Sequence, residues 1–335
     1  MADAPAPGPG IEPSSIRPVT SDAGTGTAPA DAARVVGGTE GTAAGAAVPL
    51  AAARLAPPVS GPRRRRRSVL VWLAAVWLAV VVLAALTAPW LPVPDPEEQD
   101  LGNRLARPLS EGHLLGTDGL GRDVLSRLAH GARVSLVIGL AAVSIGMLVG
   151  GTIGMVVGYV RGWVEAVTVW ALDVVLAFPG LVLLLALVAY VGQSLLTITL
   201  VIGFLSVPTY ARVARATTLV VAQREYVLAA RALGATRRRI LAGEILPNVV
   251  LPVAAFGLVA LGVVIVLEGS LAFLGLSVEA PDPTWGSMIA EGRRHLDATT
   301  HLSLIPSVVM FLTVLAVNFL GDALRDIWDP RLRGS

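Results

Sequence analysis

From Arg224 to Asn248 the chain reads REYVLAARALGATRRRILAGEILPN, a polar and basic island between two long apolar blocks. Good helix formers from Glu225 to Leu233 predict one short helix. Gly234 supplies a left-handed stop, and Pro247 permits a new helix to begin. A helix-turn-helix at the face of a membrane is a rigid handle, so this segment marks where a partner would take hold.

The flanking blocks make the chain a membrane protein. Mean hydropathy is +0.70, with 54% hydrophobic and 15% charged residues, whereas a soluble domain carries roughly 25% charged residues. All 26 basic residues are arginine. Without lysine the chain cannot form a standard Walker A loop, whose lysine holds nucleotide phosphates. Any ATP used must therefore be hydrolysed by a partner. The absence of cysteine excludes disulfides and thiolate metal sites. His113, His130, His295 and His301 lie outside the long apolar runs and are expected to be solvated or interfacial. A net charge of +2 gives no support to a nucleic-acid partner.

Residues 1–62 are rich in Ala, Gly and Pro and contain no aromatic residue. Such a segment cannot bury enough surface to offset its ordering entropy, which predicts a disordered tail. It is not a signal peptide, because the first apolar run begins too late. Arg63 to Arg67 close the tail (1–67) and hold that flank in the cytoplasm by the excess of arginine.

A membrane helix needs about 20 apolar residues. The uncharged runs predict six: Ser68–Trp90, Val134–Val160, two between Val164 and Val220 broken near Gly192, Gln193 and Ser194, then Val249–Leu276 and Leu302–Leu320. The predicted organisation is a first helix with its extracytoplasmic segment (68–131), a five-helix core (132–325) containing the loop at 222–248, and a C-terminal tail (326–335). Six spans place both termini on one side. Seven arginines against one acid between Arg212 and Arg239, and Arg325, Arg331 and Arg333 after the last span, put the loop and both termini in the cytoplasm.

Four features have a bland reading beside a functional one. Gly146, Gly150, Gly154 and Gly158 recur every fourth residue, a stripe on which another helix packs closely. Asp173 and Glu268 are ionisable groups inside spans, which mark either a pathway or a buried polar contact. Prolines 179, 208 and 252 are kinks or hinges. GTDGLGRD, Gly116 to Asp123, is a glycine-rich turn into a short helix in which Asp123 and Arg127 can pair, and it lacks the α/β context of a phosphate loop.

Taken together, HLLGTDGLGRDVLSRLAHGARVSL from His113, DVVLAFPG from Asp173, EGSLAFLGL from Glu268, PTWGSMIAEGR from Pro283 and NFLGDALRDIWDPRL from Asn318 resemble the second, C-type permease of the dipeptide/oligopeptide/nickel ABC importers. The segment 222–248 resembles their EAA loop. The resemblance runs from about residue 69 to 333. It implies an all-α membrane protein with six transmembrane helices of the type I importer fold and a cytoplasmic coupling helix, in a bacterial plasma membrane. It assigns ATPase coupling to Glu225, Tyr226, Leu228, Ala229, Ala230, Arg231, Gly234, Leu246 and Pro247. Where the family carries the glutamate that names the loop, this chain has Leu228, and Glu225 becomes the candidate acid. The implied partners are a homologous permease, two ATPase subunits that bind the ATP and magnesium, a solute-binding protein and membrane lipid. No cofactor and no catalytic residue is expected on this chain. The implied cargo is di- or oligopeptides, with nickel chelates or glutathione as alternatives. An ion-coupled carrier or a membrane scaffold is the reading from another class.

Overall fold

The computed structural model describes residues 63–328. The expected tail 1–62 and the arginines at 331 and 333 lie outside the described residues. The described residues are helical and contain no strand.

Helix α1 (Arg63–Thr87) ends in a short turn at Ala88–Trp90, where Pro89 cannot extend the ladder. Helix α2 (Val124–Ile145) passes through a widened turn at Gly146–Gly150 into α3 (Gly151–Val160), so the second helical segment has 37 residues rather than the 27 expected. At 1.5 Å per residue it is about 55 Å long, well over the roughly 30 Å of a bilayer core. The additional turns carry Arg127, His130 and Arg133. Apolarity located the part that fits a membrane, and the helix continues past it.

Arg161 and Gly162, both at positive φ, reverse the chain into α4 (Trp163–Leu176). Pro179 then turns it by 79° into α5 (Gly180–Val191). The expected third span is thus a broken pair: Pro179 has no N–H to continue the ladder and disfavours helical geometry at Phe178. Five other segments are long and apolar enough to cross a membrane alone. Helix α6 (Leu195–Val221) keeps Pro208 in its interior and is capped by Ser194, whose hydroxyl accepts from the Thr197 N–H at 3.0 Å.

Between α6 and the next span lie α7 (Glu225–Ala232) and one helical turn, α8 (Arg237–Arg239). That turn runs through a widened stretch, Ile240–Ile245, directly into α9 (Leu246–Phe273). Pro247 therefore does not start a new helix. The helix has begun at Arg237, and the widened turn just ahead of Pro247 makes room for its ring. Helix α10 (Trp285–Arg293) opens on a reciprocal Thr284–Ser287 cap, and α11 (His301–Trp328) completes the chain.

The spans gather around one apolar core. Tyr210 of α6 meets Phe256 of α9 edge to face, with ring centroids 5.2 Å apart. The Trp77 indole of α1 donates to the Thr313 hydroxyl of α11 at 3.2 Å. The glycine stripe lies against α6: a Cβ at Gly150 or Gly154 would collide with the carbonyl oxygens of Val207 or Ala211, and one at Gly146 would reach 2.7 Å from the Tyr210 ring. Residues 91–123 and 274–300, including α10, cover one end of the bundle, hereafter the capped end. The 222–248 loop lies at the opposite, loop end.

Candidate functional site

At the loop end, α7 stops by a Schellman arrangement. Gly234, at φ +80°, sends its N–H to the Arg231 carbonyl, and the next N–H, of Ala235, reaches back to Ala230, both at 3.0 Å. Val227 is fully buried and Ala230 half-buried against the core. The Arg231 guanidinium lies 5.6 Å from the Tyr159 ring at the end of α3, tying the loop to the stripe-bearing segment. Thr236 then caps α8 through the Arg239 N–H.

The opposite side of α7 is unmated. Glu225, Leu228, Ala229 and Ala232 follow the spacing of one helical face, and all four are exposed. Glu225 therefore stands one turn from Leu228 on the same face, in the first turn of the helix where an acid suits the dipole. Tyr226 and Leu228 are exposed, and Leu233, beside the glycine, is 89% exposed. Leu246 and Pro247 are exposed as well. The loop presents apolar side chains ringed by Arg224, Arg231, Arg237, Arg238 and Arg239.

The two ionisable span residues have opposite surroundings. Glu268, 1% exposed, accepts from the Ser277 hydroxyl at 3.3 Å, and that hydroxyl lies 3.3 Å from Thr284. Beside it α9 and α10 touch, a Cβ at Gly286 having only 2.6 Å to Gly269 Cα. The Trp285 backbone N–H donates to Ser135 of α2 at 3.2 Å, and its indole to the Leu128 carbonyl, also at 3.2 Å. Glu268 thus sits where α2, α9 and α10 meet.

Asp173, by contrast, accepts from Arg212 Nη2 at 2.6 Å, and both side chains are about half exposed. One turn along α6, Arg215 reaches Glu165 with Nε at 2.8 Å and Nη2 at 2.5 Å. A cavity of about 280 Å³ between α3, α4 and α6 is lined by Gly154, Thr168, Asp173, Arg212 and Arg215. A charge at the bilayer centre costs about 2.5–3.5 kcal/mol on insertion scales.

The capped end carries a cluster that the residue-by-residue reading missed. Arg127, 3% exposed, donates to Asp118 and, at 2.8 Å, to Glu291 of α10. Arg122 donates to the same two carboxylates at 2.7 and 2.9 Å. Burial pushes the Asp118 carboxyl up, but the Arg122 backbone N–H, the Arg127 guanidinium, the Leu120 N–H and the Arg122 guanidinium outweigh it and hold the group below the usual carboxylate range. The expected Asp123–Arg127 pair is not formed. Asp123 instead caps α2 through the Ser126 N–H at 2.8 Å and meets His113 Nδ1 at 2.9 Å. His113 is therefore buried in an ion-pair position and is not solvated. GTDGLGRD forms the turn around these contacts, with Gly116 and Gly121 at positive φ where backbone crowds them.

Residues 150–334 match the family described as "Binding-protein-dependent transport system inner membrane component". The chain is 40% identical over 231 residues to the glutathione transport system permease protein GsiD of Pectobacterium atrosepticum, covering 69% of this chain and 77% of that one. It is 38% identical over 272 residues to the GsiD protein of Escherichia coli O1:K1, covering 81% of this chain and 90% of its relative. The chain belongs to this importer-permease family. Among solved structures, an inward-facing form of the MetNI methionine ABC transporter aligns with 60% of this chain and 96% of its own, at TM-score 0.46 and 15% identity.

As an importer permease the chain is a multi-pass membrane component, and the apolar helices around the glycine stripe are its membrane body. The signal for the missed capped-end cluster was present in the two motifs that hold its members, GTDGLGRDVLSR and GSMIAEGR. Nothing local said that they meet across more than 160 residues.

Proposed function

We propose that this permease couples ATP hydrolysis by partner subunits to alternating access for short peptides, and that α7 with its flanks is the coupling element. The observation that carries this reading is the unmated face of α7 on a member of the importer-permease family. A helix fixed to the core by Val227 and closed by Gly234 moves as a unit, and its exposed Leu228, Leu233 and Glu225 offer a partner both apolar area and one acid. Glu225, on the same face as Leu228, supplies the acidic contact. Arg231, through Tyr159, carries the movement to α3 and its glycine stripe.

The same reading places the loop end and both termini in the cytoplasm, in keeping with the arginine bias. It calls for a second, homologous permease, two ATPase subunits that bind ATP and magnesium, and a solute-binding protein at the capped end. No covalent step belongs to this chain. Glutathione is the first cargo to test among short peptides, since relatives at 38–40% identity are named for its transport. Glu268, sealed between helices, serves packing.

The assembled complex in vesicles tests this. Uptake of glutathione or a dipeptide is expected to require ATP and to stop with an ATPase-dead partner. Uptake that persists with the dead partner would overturn the importer reading in favour of an ion-coupled carrier.

A further inference from the structure

Asp173 lies ten residues into α4, about 15 Å from its start, and Arg212 nine residues before the end of α6, about 14 Å from it. The pair thus lies well inside both helical segments, about four helical turns or less from their loop-end termini. Its two side chains are 51% and 54% exposed, unlike Glu268, which is enclosed, and Glu165 with Arg215, which are largely covered. Lipid is a costly neighbour for such a pair, and intramembrane ion pairs face a water-filled cavity or the bundle interior. The 280 Å³ cavity opens at this pair, and its wall holds Thr168 with Asp173, Arg212 and Arg215, the last of these paired to Glu165. No α4 residue is buried in the core, so the helix has a free side to give to an aqueous path.

We propose that Asp173 and Arg212 line the translocation path and form a two-sign station for zwitterionic cargo, Arg212 receiving a carboxylate and Asp173 an ammonium group as the pair opens. This rests on the importer reading. A carboxylate can replace Asp173 on the Arg212 guanidinium in the geometry already present, because the exchange trades one charge-assisted hydrogen bond for another. Peptides carry both charges, so one station holds both ends without net charge in the membrane.

The absence of cysteine from this chain makes the test direct. Asp173→Cys and Arg212→Cys are placed singly in the assembled importer with cysteine-depleted partners. Membrane-impermeant methanethiosulfonates then probe them, one bearing a sulfonate and one a trimethylammonium. Both sites are expected to react. Asp173→Cys, beside an uncompensated Arg212, should favour the anionic reagent by about tenfold, and Arg212→Cys the cationic reagent by a similar factor. Reaction only with a lipid-soluble maleimide, reaction with neither, or the same charge preference at both sites overturns the proposal.

If either variant fails to insert, Thr168→Cys reads water access of the same cavity with the pair intact. It should react with both reagents, and silence there is equally contrary. ATP-dependent uptake by the unsubstituted complex is measured in the same vesicles. Silent cysteines in vesicles that transport refute the station alone, whereas failure of ATP-dependent uptake refutes the underlying reading.

Discussion

The two ends of this molecule handle charge in opposite ways. At the capped end, Arg122 and Arg127 are paired with Asp118 and Glu291, and His113 meets Asp123, so each of these side chains has a partner within the chain. At the loop end, five arginines and the apolar side chains of Tyr226, Leu228 and Leu233 face outward. The first holds a cluster of charges paired with one another, and the second presents an unmated helix face.

This contrast makes predictions about where substitutions act. The largest loss of stability is expected from Arg127→Ala, which strips the buried Asp118 of its main cation and should cost about 3–5 kcal/mol, read as a lower melting temperature in detergent and less protein in the membrane. Unchanged melting would mean that the Arg127–Asp118 pair is not the stabilising buried contact described. Next, Gly154→Val drives a side chain into the Ala211 carbonyl on α6, with a cost of about 1–3 kcal/mol in the same assay. Gly234→Val puts a β-branched residue at φ +80° and should cost about 1–2 kcal/mol locally. The protein still inserts, but the ATP consumed per cargo molecule rises.

A smaller effect concerns acid. Because Asp118 titrates below its unfolded value of about 3.9, its stabilisation is complete above that value and is lost as pH falls through the lower, folded one. Asp118→Asn should therefore flatten the loss of stability as pH falls below about 4, relative to the parent chain. Smallest of all, Leu233→Ser should change permease stability by no more than about 0.5 kcal/mol, while weakening co-purification of the ATPase subunits.

The same contrast separates what was legible in the sequence from what was not. Span number, the helix at Glu225 and the stop at Gly234 rest on periodicity, propensity and backbone freedom within a few residues, and these could be read directly. Pro179 was visible, yet its 79° turn was not, because a proline fixes its own φ without saying whether the helix breaks there or continues unbroken, as it does at Pro208 and Pro252. Helix ends were missed outward, at Val124 and at Arg237, where polar residues continue a helix beyond the membrane. The pairings Asp173–Arg212, Glu165–Arg215 and Arg127–Glu291 join residues 39, 50 and 164 positions apart. Such distances come from the packing of spans, and no local pattern encodes them. Asp173 and Glu268 looked alike as lone acids in apolar runs, and only their surroundings distinguish an exposed pair from an enclosed one.

The central claim is that the open end is where the ATPase binds, and cysteine cross-linking tests it most directly. Leu233 at the loop end and Leu109 at the capped end are 89% and 84% exposed, so they differ in place and hardly in accessibility. With a bifunctional thiol reagent in the assembled complex, Leu233→Cys is expected to join the permease to an ATPase subunit, and Leu109→Cys is not. An ATPase adduct from Leu109→Cys, or none from Leu233→Cys in vesicles that retain ATP-driven uptake, would contradict the account.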